Sequence, residues 1–156
     1  MIKTAIFVEG QTELIFVREM LLKLFEWQNI SIECYTLFSD HQHHPTEYAF
    51  PSTEAWILGF KDIFQKINPD LTNEKIAQEL GFNLNEIDPE LHFFHPATNL
   101  QAIFQLSNDS YDKSKGDVNK LMSYIEKEDF EILATGDKCE SFRTFFKSVD
   151  YRSEAE

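Results

Sequence analysis

Thr4-Ala5-Ile6-Phe7-Val8 is an almost wholly apolar run of β-formers that stops at Glu9-Gly10. Such a run predicts a strand buried on both faces, as in a parallel sheet. From Thr12 to about Trp27 the pattern changes. Ile15, Phe16, Met20, Leu22, Leu24 and Phe25 recur near helical spacing, with Arg18, Glu19, Lys23 and Glu26 between them, which predicts a helix. Ile30 to Phe38 alternates in part and predicts a second strand. Together these segments predict a β-α-β unit.

Asp40 to Pro51 holds three histidines and two prolines with little periodicity, and predicts a loop. Trp56, Ile57, Phe60, Ile63 and Phe64 then recur at helical intervals and predict a helix over 53–64. A shorter helix is predicted over 72–80, with Thr72 or Asn73 as its N-cap and Gly81 as its stop. Glu86 to His95 predicts a loop around Asp88-Pro89. Helices are expected over 99–106, 117–126 and 139–149, the last with Phe142, Phe145 and Phe146 on one face. The expected fold class is α/β, a parallel sheet core flanked by helices with a mostly helical C-terminal half.

The 156 residues and 18.3 kDa suit one domain over 1–150, with 151–156 as a flexible tail. Against 14 Lys and Arg stand 27 Asp and Glu, a net charge of −13. That field repels nucleic acid and anionic membrane unless cations intervene, which argues against a passive DNA-binding module. Cys34 and Cys139 form no C-x-x-C pair, so reduced thiols and a cytoplasmic location are expected. No apolar run is long enough to cross a membrane, and the N-terminus leads into a strand, not a signal peptide. Phe7, Phe16, Phe25, Phe60, Phe64 and Phe104 lie on apolar stripes and are expected in the core, whereas Phe93-Phe94 suits either the interior or a partner surface.

Chemistry concentrates at Phe7-Val8-Glu9-Gly10-Gln11-Thr12-Glu13. A carboxylate at the C-terminal end of a parallel strand sits where α/β sheets place ligands. Glu13 follows four residues later, near the first turn of the helix, so both carboxylates can address one location. Paired carboxylates suit Mg²⁺ or Mn²⁺. An acidic residue in a first turn equally serves as a cap or as a favourable charge at the helix N-terminus, and Glu54, which opens the next helix, carries the same two readings. Asp40, at the end of the second predicted strand, is a further candidate for the same cleft. Neither a P-loop nor a GxSxG elbow is present.

Ile6-Phe7-Val8-Glu9-Gly10-Gln11-Thr12-Glu13-Leu14-Ile15-Phe16 resembles the opening strand, acidic turn and helix of Toprim domains, particularly those of OLD-family nucleases and their Toprim-like relatives beside ATPases in bacterial anti-phage loci. Glu54-Ala55-Trp56-Ile57-Leu58-Gly59, Asp88-Pro89-Glu90, Tyr111-Asp112-Lys113 and Cys139-Glu140-Ser141-Phe142 are similar to later segments of that group, in the same order. The resemblance implies a Toprim-like sheet and Mg²⁺- or Mn²⁺-dependent cleavage of phosphodiester bonds in DNA or RNA. It further implies an ATPase partner and a role in phage defence. Glu9 would be the central catalytic and metal-binding carboxylate, Glu13 and Asp40 further metal ligands, and Lys113 or Lys115 the cation that steadies phosphate charge.

The chain departs from that pattern in one respect. Toprim domains carry a second acidic motif, usually Asp-x-Asp, after a later parallel strand, and none occurs between Phe38 and Glu54. A crossover of a dozen or more residues does not fit there. Either the domain is a degenerate, non-catalytic scaffold that binds a partner ATPase, or an internal segment between His41 and Glu54 is missing, which is the favoured expectation. The cluster Asp40-His41-Gln42-His43-His44 also invites a transition-metal reading, although adjacent ligands in one loop rarely converge without distant partners.

Overall fold

Phe16, Met20, Leu21 and Leu24 lie along one side of α1 (Gln11–Phe25) and are completely or almost completely buried. The rest of the described chain is assembled against them. The structure is a computed structural model that describes residues 7–8, 11–25, 35–36, 53–112 and 116–149. After α1 come α2 (Thr53–Gly59), α3 (Ile63–Ile67), α4 (Asn73–Leu80), α5 (Pro89–His92), α6 (Pro96–Gln105), α7 (Asp117–Met122), α8 (Lys127–Thr135) and α9 (Glu140–Val149). α1 packs on α2, α7 and α8, while α2 also meets α5 and α6, and α8 pairs with α9.

The expected parallel-sheet core is not seen among the described residues. Among the described residues the extended pairing is limited to β1 (Phe7–Val8) and β2 (Tyr35–Thr36), parallel with Phe7 opposite Tyr35 and Val8 opposite Thr36. The helices instead bury their apolar stripes against one another, and the domain is mostly helical. An apolar run such as Thr4 to Val8 fits a buried strand by its composition, but composition does not say how many partners the strand will find. The loop Asp40–Pro51, with its histidine cluster and the expected break between His41 and Glu54, lies outside the described residues.

Aromatic rings fill the centre. Phe16 packs edge-on to Phe130 and Phe142 at 5.9 and 6.3 Å between centroids, and Phe60 meets Phe130 edge-on at 5.4 Å. Phe16, Phe60, Phe64 and Phe104 are buried, as their stripes predict. The helix expected over 53–64 is broken in two, because Asp62 adopts a left-handed conformation (φ 55°) and α3 starts afresh. Gly59 ends α2 where a side chain has no room: a Cβ there would lie 2.7 Å from Cys139 Sγ and 3.1 Å from Leu133 Cδ1.

Capping chemistry sets several ends. Thr72 Oγ1 accepts the Lys75 N–H at 3.2 Å, and Gly81 (φ 77°) closes α4, as expected. Asp88 caps the short helix α5, with Pro89 in its first turn, inside what the sequence predicts as loop. The sequence reading has no counterpart to α8. Its start is fixed by Asp129, whose carboxylate accepts the Glu126 N–H at 2.8 Å and pairs with Lys66 at 2.6 Å. Lys23 of α1 donates to the carbonyls of Met122 and Ile125, placing a cation at the end of α7.

Candidate functional site

Acidic groups in three helix first turns have charges that bear on Tyr111. Glu13 stands in the first turn of α1 and is half-buried, Glu54 in the first turn of α2 is completely buried, and Asp117 opens α7. Tyr111 enters from the loop after α6. Its ring stacks on Phe104 (5.9 Å, 19°), and the next residue ties the loop to α7 through the Asp112 N–H, which donates to Asp117 Oδ2 at 2.7 Å.

The Tyr111 ring is anchored but its hydroxyl is not. Tyr111 is only 6% exposed, and the buried oxygen has no hydrogen-bond partner. Burial first, and then the charges of Glu54, Asp117 and Glu13, push the phenol above its ordinary range, so it stays protonated at neutral pH. The phenol is therefore a proton donor that feels the charge of carboxylates on separate helices.

Of the residues expected to bind metal or react, Glu13 stands in the first turn of α1 and its charge bears on Tyr111. Glu9, Asp40 and Lys113, together with Lys115, lie outside the described residues. Glu54, which the sequence leaves divided between cap and chemistry, is brought in, as is Tyr111 from the Tyr111-Asp112-Lys113 segment. Asp117 was legible only as the start of a helix. Mg²⁺ characteristically takes one or two protein carboxylates and keeps several waters. Among the described residues no group of three His, Cys, Asp or Glu side chains is placed to hold an ion by itself.

A second gathering unites the other sequence motifs. Trp56 Nε1 donates to Glu90 Oε1 and lies equally close to Ser141 Oγ, each at 2.8 Å, and Ser141 bonds Glu90 through both its hydroxyl and its N–H. The Cys139 N–H donates to the Asp88 carboxylate at 3.2 Å, and its thiol reaches the Ala55 carbonyl at 3.7 Å. Burial, reinforced by Glu90 and Asp88, pushes that thiol well above its ordinary value, which keeps it unreactive. This joint locks α2, α5 and α9 together and has the character of structural support.

No family model matches the chain, and neither curated proteins nor solved structures supply a significant match. Among the described residues no helix is long and apolar enough to cross a membrane.

Proposed function

We propose that the protein is a Mg²⁺- or Mn²⁺-dependent nuclease that hydrolyses phosphodiester bonds, acting in the cytoplasm beside an ATPase partner in phage defence. What supports this reading is that the charges of Glu54 and Glu13 both bear on Tyr111, the three coming from segments that resemble OLD-family nucleases. Of the carboxylates it invokes, Glu13 and Glu54 are presented by helix first turns.

When bound, the divalent cation would activate water and offset phosphate charge. Glu13 would hold it together with Glu9, and Lys113 would steady the negative charge that develops on the phosphate. Glu54 and Asp117 add negative potential that draws cations into an already acidic chain, and the cations in turn make the approach of a polyanion possible. Lys and Arg are scarce, so metal charge is the available means of neutralising a phosphodiester backbone.

One feature favours a second reading, a non-catalytic domain that binds the partner ATPase. Leu91 and Phe94 protrude at the α5–α6 corner, 87% and 90% exposed, and exposed aromatic and aliphatic side chains are common anchors at interfaces. The two readings separate in a cleavage assay on plasmid DNA and tRNA with Mg²⁺ or Mn²⁺, with and without the neighbouring ATPase. Metal-dependent cleavage that Glu9→Ala and Glu13→Gln abolish supports the nuclease. Absence of cleavage under every condition, or unchanged cleavage by both variants, contradicts it.

A further inference from the structure

From Leu91 to Asn108 the sequence holds no Asp, Glu, Lys or Arg, in a chain where such residues make up 26%. One face of α6 within this stretch is buried through Leu100, Ile103 and Phe104, against α2 and α4. The other face, His95, Thr98, Gln101 and Gln105 at helical spacing, is exposed and bears only neutral polar groups. At its N-terminal end Phe93 turns inward onto Phe82, at 4.8 Å between ring centroids, while Leu91 and Phe94 stand almost entirely in solvent. Single exposed apolar side chains are ordinary, but neighbouring ones beside a charge-free helix face mark an interaction surface.

The charge pattern selects the occupant. In a two-fold interface a surface meets itself, so any charge near the axis would face its like. Amides and hydroxyls both donate and accept, and are therefore their own complement. A chain of net charge −13 repels its copies elsewhere. We infer that the protein self-associates through this face, with α6 of one copy antiparallel to α6 of a second and the Leu91 and Phe94 of each covering the far end of the other's helix. The neutral stretch is centred within α6, so run antiparallel it matches itself end to end. Ten helical residues span about 15 Å, which makes the contact small and the dimer one that exchanges with monomer. The inference holds whether or not the chain cuts nucleic acid, and it accounts for the exposure of Leu91 and Phe94 without an ATPase.

The test is sedimentation velocity of the full chain alone, across roughly 1 to 300 μM, a range suited to a small interface. The wild type should pass from one copy to two as concentration rises. Leu91→Ser with Phe94→Ser should weaken the dimer about tenfold or more, whereas Ile132→Ser, at an exposed apolar side chain on α8, should leave it unchanged. All these side chains are exposed, so the fold does not rest on them. Gln101→Glu and Gln101→Lys should each dimerise more weakly than wild type, and an equimolar mixture of the two should recover a tighter, mixed dimer. A wild type that stays monomeric throughout overturns the inference. So does a double serine variant that dimerises as tightly as wild type, an equal loss in Ile132→Ser, or a mixture no tighter than its components.

Discussion

The joint at Trp56, Glu90 and Ser141 and the acidic end around Tyr111 are built from the same kinds of residue and differ in how their polar groups are satisfied. At the joint, Trp56, Ser141 and the Cys139 N–H all find acceptors, and Glu90 and Asp88 are fully engaged. At the acidic end, the charges of carboxylates on three helices bear on a buried hydroxyl that has no partner. A satisfied network rigidifies, whereas an unsatisfied donor is a cost that stability alone does not explain. Motif residues can thus recur in order along a chain for two reasons, and hydrogen-bond satisfaction tells the scaffold from the candidate site.

The largest way to break the comparison is at the aromatic centre that backs the joint. Phe142 is fully buried and contacts Phe16, Trp56, Phe60 and Phe130. Phe142→Ala should cost about 3–5 kcal/mol, which for a domain of this size lowers the melting temperature by on the order of 10 °C. Glu90→Gln should cost less, about 1–3 kcal/mol, because it weakens a charged acceptor for Trp56 and Ser141 without opening a cavity. Denaturant titration at fixed pH would measure it, and an unchanged midpoint would show that the joint is not held by this network.

The smallest effect appears only in alkali. The folded Cys139 thiol keeps its proton to a pH above its ordinary value of 9.0, so above that pH the unfolded chain binds fewer protons than the folded one. Stability must then fall as pH rises. Tyr111, also raised from an ordinary 10.0, adds to the decline at higher pH. Melting curves above pH 9 should show the loss, and Cys139→Ala should flatten its first part. An identical slope in the variant would remove Cys139 as its source.

Helical periodicity made α1, α4 and α9 legible, and Thr72 and Gly81 marked the ends of α4 by their own chemistry. The break at Asp62 was hidden, since it rests on a left-handed backbone at a non-glycine residue. α8 was hidden because Asp129, which starts it, draws on a lysine 63 residues away in sequence. The sheet was over-read from a short apolar run. At the candidate site Glu13 was visible from its spacing after Glu9, whereas Glu54 had two readings and Asp117 none beyond a helix start. That their charges all bear on Tyr111 follows from the tertiary packing and is carried by no local pattern.

The most direct test of the central claim, that the acidic end binds a divalent cation and the joint only supports the fold, is the melting temperature with and without Mn²⁺ for wild type, Glu13→Gln and Glu90→Gln. At about 100 times its dissociation constant a bound ion adds about 2.7 kcal/mol, or roughly 5–10 °C. The account predicts that rise for wild type and Glu90→Gln, whatever the latter's starting temperature, and its loss in Glu13→Gln. Equal Mn²⁺-induced shifts in all three proteins, or none in the wild type, would contradict it.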